Sequence, residues 1–120
     1  MYWTNDALCK HVHNDLWFPP SFKEDRTAPE SQYYEIAKMV CEQCSVVDSC
    51  RDLGSEEDHG VWGGTAPKDR VSGEVKRPKK LLPIESISVL PLHEPDIRVD
   101  IPSLRNTLKA HTKRRPRVTQ

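Results

Sequence analysis

The placement of four cysteines, at positions 9, 41, 44 and 50, constrains what this chain can fold into more than any other feature. All four fall in the first 50 of 120 residues, and 31 residues separate Cys9 from the tight group Cys41, Cys44 and Cys50. With 36% hydrophobic residues and ten prolines, only part of the chain is expected to fold compactly. A core that small usually needs a metal or disulfides to be stable. Residues 1–10 lack the basic start, apolar run and small-residue cleavage site of a secretory leader. The longest apolar runs, such as Leu81-Leu82 and Val89-Leu90, are far short of the roughly 20 residues of a membrane helix. The expectation is a cytoplasmic protein with no membrane partner, where thiols stay reduced and closely spaced cysteines bind metal more often than they pair.

Four thiolates match two chemistries by count: tetrahedral zinc, and one cysteine for each iron of a 4Fe-4S cluster. Structural zinc sites commonly join two C-x2-4-C knuckles, whereas Cys9 has no nearby cysteine and only His11 or His13 as a local second ligand. A distant cysteine plus C-x2-C-x5-C suits a larger polynuclear centre better, although spacing alone does not choose iron over zinc. Glu42, Gln43, Asp48 and Ser49 make the surroundings too polar for thiols that merely pack. A disulfide bond after oxidation, or thiol–disulfide exchange by Cys41 and Cys44, remains open, but no βαβ pattern surrounds them. Asp6, Asp15 and the histidines sit near no serine, lysine or phosphate-loop pattern that would complete a catalytic set, so the chain does not read as an enzyme.

The net charge of zero conceals two opposite halves. Residues 1–65 carry 12 acidic against 5 basic side chains, and residues 66–120 carry 6 against 13, so the parts are −7 and +7. An acidic domain with a basic arm is frequent among proteins that meet nucleic acid; a basic arm folded back on its own acidic domain is the alternative.

Apolar residues at helical spacing, Tyr33, Ile36, Ala37 and Val40, predict a helix over 30–40 with Ser31 as N-cap, delivering the chain to Cys41. The C-x2-C-x5-C spacing suits a helix end, a turn and the start of another short helix. Three glycines among residues 60–64 require a turn, and Trp62 between them would be presented outward as an interface anchor. Trp17 and Phe18 are adjacent, so one packs and the other is available to a partner. Beyond Pro67 a basic linker reaches Lys80, with disorder as the default. Leu81 to Leu92 suits a docking strand or recognition segment, and residues 101–115 suit a last helix with Pro102 in its first turn. Lys113, Arg114, Arg115 and Arg117 carry an Arg-Pro step like an AT-hook but no central glycine, so phosphate contact is their expected nucleic-acid role.

In the order C-x31-C-x2-C-x5-C, Leu16-Trp17-Phe18-Pro19, Ala37-Lys38-Met39-Val40-Cys41, and Gly60-Val61-Trp62-Gly63-Gly64 followed by Thr65-Ala66-Pro67, the chain resembles the WhiB-like family of actinobacteria and their phages. The resemblance covers roughly the first 70 residues. It implies a 4Fe-4S cluster on Cys9, Cys41, Cys44 and Cys50. It also implies binding to region 4 of the primary sigma factor of RNA polymerase, through Trp62, Gly63 and Gly64 with Trp17, Phe18 and Trp3. Two departures stand out: Ser45 replaces the usual proline after the third cysteine, and only nine residues separate Cys50 from Gly60, without the family's aromatic and aliphatic helix. The C-terminal part is also longer than the family's basic tail.

The reading is thus an all-α fold: a small helical domain wrapped around an iron–sulfur cluster over residues 1–70, and a basic, largely disordered tail over 71–120. Its function is redox-responsive transcriptional regulation, binding sigma factor and contacting promoter DNA. A thiol–disulfide oxidoreductase acting without the cluster and a zinc-stabilised adaptor are the alternatives.

Overall fold

The computed structural model describes residues 12–20, 22–92, 94 and 98–114. Trp3, Cys9, Arg115 and Arg117 lie outside the described residues. The chain is mostly helical. Its four α-helices among the described residues are α1 (Glu30–Cys41), α2 (Val47–Leu53), α3 (Pro67–Ser72) and α4 (Ile101–Lys109). They are joined by 3-10 turns at Asn14–Leu16, Lys23–Asp25 and Ile84–Val89 and by a two-residue ribbon.

Helix α1 forms the spine of the core because its apolar residues recur on one face. Tyr33, Ile36, Ala37 and Val40 are all buried there. The helix starts at Glu30, but its N-cap is Pro29, two residues before the expected Ser31, so Ser31 is inside the helix and does not cap. Pro29 suits this place because the first amides of a helix have no intrahelical acceptor to lose. Arg26 then pairs with Glu30 at 2.6 Å across the helix start. Leu16, from the first 3-10 turn, is fully buried against the same core.

The largest departure from the sequence reading lies after residue 79. Instead of a largely disordered tail, the described residues between 80 and 114 return to α1. Strand β1 (Lys80–Leu81) pairs antiparallel with β2 (Lys113–Arg114), Lys80 opposite Arg114 and Leu81 opposite Lys113. Leu82, Leu90, Val99, Ile101, Leu104 and Leu108 are buried in the same cluster as Tyr33 and Ile36. The apolar segment from Leu81 to Leu92 docks through Leu82 and Leu90, which flank the 3-10 turn Ile84–Val89, while Ile84 and Leu92 stay exposed. Helix α4 is capped by Asp100, whose carboxylate accepts from the Ser103 amide at 3.3 Å, and carries Pro102 in its first turn. It ends well before Arg115, because the Thr112 amide and hydroxyl both donate to the Leu108 carbonyl, at 2.8 and 2.9 Å, and the chain leaves to form β2.

Two polar ties explain why the return holds. The Thr27 hydroxyl donates to the Val99 carbonyl at 2.8 Å and accepts the Ile101 amide at 2.9 Å, while the Thr27 amide donates to the Tyr33 hydroxyl at 2.9 Å. Arg77 forks onto Glu42, Nε at 2.9 Å and Nη2 at 2.7 Å. The two charge halves are therefore partly matched within the chain, as the fold-back alternative anticipates. Leu82→Ala is expected to lower stability by about 2 to 3 kcal/mol, the cost of a core cavity, read as a lower urea midpoint. An unchanged midpoint would show that this segment does not belong to the core.

Candidate metal centre

The end of α1 and the start of α2 bring three cysteines to one cavity. Cys41 is the last residue of α1, Cys44 lies in the turn that follows, and Cys50 is in α2. The helix end, turn and short helix read from the C-x2-C-x5-C spacing are thus all present. The three thiols line a cavity of about 150 Å³, walled by Trp17, Phe18, Val40, Val61 and Trp62 among others. Among the described residues no three His, Cys, Asp or Glu side chains converge closely enough to grip a single metal ion.

Two N–H groups are aimed at sulfur. The Trp17 indole donates to Cys41 Sγ at 3.4 Å, and the Gly63 amide donates to Cys50 Sγ at 3.1 Å. Such donors stabilise negative charge on a ligand sulfur and are the means by which surroundings tune a thiolate centre. Burial pushes the Cys50 thiol up, the Gly63 amide draws it back, and the neighbouring Cys44 raises it further. Burial and Cys44 thus disfavour a bare thiolate at Cys50, so a thiolate there would need a cation beside it, which a thiolate-ligated iron centre would supply. It also takes one cysteine per iron, so it needs thiols spread around a space and not gathered on a point. The donor set fits the group.

The glycine turn is built onto this site. Gly60, Gly63 and Gly64 adopt φ of 78°, 55° and 78°, and Trp62 and Thr65 bond each other's backbone at 3.0 Å in both directions. Gly63 is fastened to α2 at both ends of its peptide unit, its amide on Cys50 and its carbonyl accepting from Arg51 Nε at 3.0 Å. A Cβ on Gly63 would run into the backbone of Val47 and Arg51, so no side chain fits there. The shortened connection between Cys50 and Gly60 has its answer in Gly54. With no side chain at the end of α2, the Trp62 ring lies directly over the backbone, where a Cβ would overlap it.

Trp17 and Phe18 divide as their adjacency requires. Trp17 is 6% exposed and faces the cysteines, while Phe18 is 39% exposed and meets Trp62 edge to face, centroids 5.8 Å apart and planes at 86°. The carbonyl of Trp17 accepts the Val61 amide at 2.9 Å, which ties the aromatic segment to the turn. Of the aromatics assigned to a partner surface, Trp17 is thus packed inside, whereas Phe18 and the half-buried Trp62 form one surface pair.

A family model for the transcription factor WhiB matches residues 3–72 of this chain. The chain belongs to the WhiB family. It is 36% identical over 70 residues to the transcriptional regulator WhiB1 of Bifidobacterium longum, which covers 57% of this chain and 72% of the relative. It is 31% identical over 70 residues to the redox- and pH-responsive transcriptional regulator WhiB3 of Mycobacterium tuberculosis, covering 57% and 67%. With the WhiB1 of that organism it shares 32% over 72 residues, covering 58% and 81%.

Within the WhiB-matched span, the structure adds residues that sequence reasoning did not single out. The Arg70 guanidinium donates to the carbonyls of Glu57, His59, Gly60 and Thr65 at 2.6 to 3.2 Å and so gathers the whole turn around one side chain. Beside it, Lys38 of α1 and Asp69 of α3 form a buried ion pair, Nζ to Oδ2 2.6 Å. Asp69 also accepts the amides of Ala66 at 2.9 Å and Lys76 at 3.2 Å. Burial pushes the Asp69 carboxyl up, but Lys38 and these two amides outweigh it and hold the group below the usual carboxylate range. The available signal was Lys38 itself, a lysine on the largely buried second half of α1, where a charge requires a partner. Lys113 and Arg114 are exposed on β2, apart from the cysteine cavity.

Proposed function

We propose that this WhiB-family chain is a redox-responsive transcriptional regulator of the cytoplasm, holding a 4Fe-4S cluster on Cys9, Cys41, Cys44 and Cys50, and that it is not an enzyme. The observation that carries the reading is the pair of N–H donors, from Trp17 and Gly63, aimed at two of the three cysteine sulfurs lining one apolar cavity. A bound cluster supplies a centre that gains or loses electrons and reacts with oxidants. The chain's own residues do the rest. Cys50 and Gly63 join the ligand set directly to the glycine turn, so the turn's position depends on the state of the cysteines. Phe18 and Trp62 then offer an aromatic pair, with Gly63 and Gly64 in the turn beneath it, to region 4 of the primary sigma factor. Trp17 supports that surface from inside. Basic residues of the C-terminal part contact promoter DNA.

Anaerobic purification is the direct test. A broad absorption near 400 nm with about four irons per chain is expected, while a single zinc per chain would overturn the cluster assignment. For the partner surface, Trp62→Ala is expected to weaken sigma binding by about 2 kcal/mol or more with the cluster spectrum intact. Unimpaired binding accompanied by loss of colour would make the tryptophan a lid over the cluster and not an anchor.

A further inference from the structure

Two groups stand out among the described cations, beside Arg51, which donates to the Gly63 carbonyl, and Lys23, Lys68 and Lys76, which have no ion pair among the described residues but do not line the groove between α1, the ribbon and α4. Arg26, Lys38, Arg77 and Arg98 pair with carboxylates, and Arg70 is occupied by backbone carbonyls. A second group, Lys79, Lys80, Arg105, Lys109, Lys113 and Arg114, has no ion pair among the described residues and is exposed throughout. These six are not scattered. Lys79, Lys80, Arg105 and Lys109 line one open groove of about 400 Å³ between α1, the ribbon and α4. Arg105 and Lys109 stand four residues apart on one face of α4. Lys113 and Arg114 extend the same edge through β2.

The ribbon register supplies an independent sign that an anion belongs there. Lys80 lies directly opposite Arg114. Like charges at a directly opposed cross-strand position are destabilising, and a two-residue ribbon has few other contacts to offset them. An anion against the ribbon would remove that repulsion. Arg105 donates to Gln32 Oε1 at 3.1 Å, which orients the guanidinium without neutralising it. The one carboxylate lining the groove, Glu35, already accepts the Lys79 amide at 3.2 Å.

We propose that this groove binds the phosphodiester backbone of duplex DNA, with Lys79, Lys80, Arg105, Lys109, Lys113 and Arg114 as its phosphate contacts. The inference rests on the reading of the chain as a regulator that touches DNA and moves that contact from a terminal basic tail to a folded surface. All six residues lie beyond the WhiB-matched span, so the site is built by this chain's own C-terminal part. Rows of cations on a folded edge position a duplex without reading its bases.

The test uses the full chain purified anaerobically and a short random-sequence DNA duplex, with affinity measured over a range of salt concentrations. Each phosphate contact contributes about 0.9 to the log–log salt slope, so Lys80→Gln/Arg105→Gln/Lys109→Gln is expected to flatten it by up to about 3 units. The cluster absorption and sigma region 4 binding should stay at wild-type level, which also shows that the variant is folded. A matched variant at exposed lysines elsewhere, Lys23→Gln/Lys68→Gln, should leave the slope nearly unchanged. A triple variant with the wild-type slope overturns the groove while leaving DNA contact by the protein intact. A wild-type protein that binds no duplex overturns both. A slope change seen with single-stranded RNA but not with the duplex overturns the assignment to DNA.

Discussion

Serine at Cys44 or Cys50 should leave the anaerobically purified protein with most of its iron gone and its helical domain no longer cooperatively folded. Metal binding supplies on the order of 10 kcal/mol to the folding of small metallo-domains, more than the whole stability of many domains of this size. The geometry explains why so much depends on one sulfur. Cys50 accepts the Gly63 amide, Gly63 is fastened to Arg51, and Arg51 stands on the same short helix. Without a bound cluster, α2 has seven residues, none of them fully buried, and Val47 is the one apolar side chain of the helix packed against the core. Cys9→Ser separates the four-ligand assignment from a three-ligand one. Its iron content should fall as far as that of the other variants, and full iron in it would sink the assignment. The readouts are iron per chain, absorption near 400 nm and far-ultraviolet circular dichroism.

Asp69→Ala should cost about 3 to 5 kcal/mol, the usual penalty for leaving one member of a buried ion pair without its partner. The change strands the Lys38 ammonium and also removes the acceptor of the Ala66 and Lys76 amides. Lys38 keeps one bond, to the Lys76 carbonyl at 2.8 Å, which is too little for a buried charge. A cycle adding Lys38→Met should recover part of the loss, because the uncompensated charge goes with it. The pair also carries a pH signature. The native carboxyl of Asp69 is held below its unfolded value, so its contribution is complete above about pH 4 to 5 and is lost as pH falls through the lowered native value. Wild-type stability should therefore drop in that acid window, and Asp69→Ala should show a shallower drop. Equal pH profiles would mean that the pair contributes nothing through its charge.

These two expectations draw on different levels of the molecule. The cysteine group of the candidate metal centre was legible in the order of residues, because the spacing of Cys41, Cys44 and Cys50 is a local property. Three cysteines within ten positions must lie near one another whatever the rest of the chain does, and the helical period of Tyr33, Ile36, Ala37 and Val40 sends Cys41 off the end of a buried helix. Adjacency alone also dictated that Trp17 and Phe18 part company, and three glycines in five residues imposed the turn around Trp62.

What tertiary structure alone decided concerns partners far apart in the chain. Which of Trp17 and Phe18 turns inward depends on Cys41, 24 residues after Trp17. That Arg70 gathers the turn, and that Asp69 neutralises Lys38, follow only once α3 is laid beside α1. The course of the C-terminal part was the least legible. Its prolines, short apolar stretches and basic residues carry the local signature of a chain that cannot pay for its own order, because none of its segments buries enough surface by itself. Leu82, Ile101, Leu104 and Leu108 become core residues because α1 already offers Tyr33 and Ile36 to pack against. The sequence alone thus determined the grouping of Cys41, Cys44 and Cys50 and the turn, through spacing and backbone freedom. Burial against a distant helix, invisible to any local pattern, decided that the basic arm folds back and presents its unpaired cations along one groove.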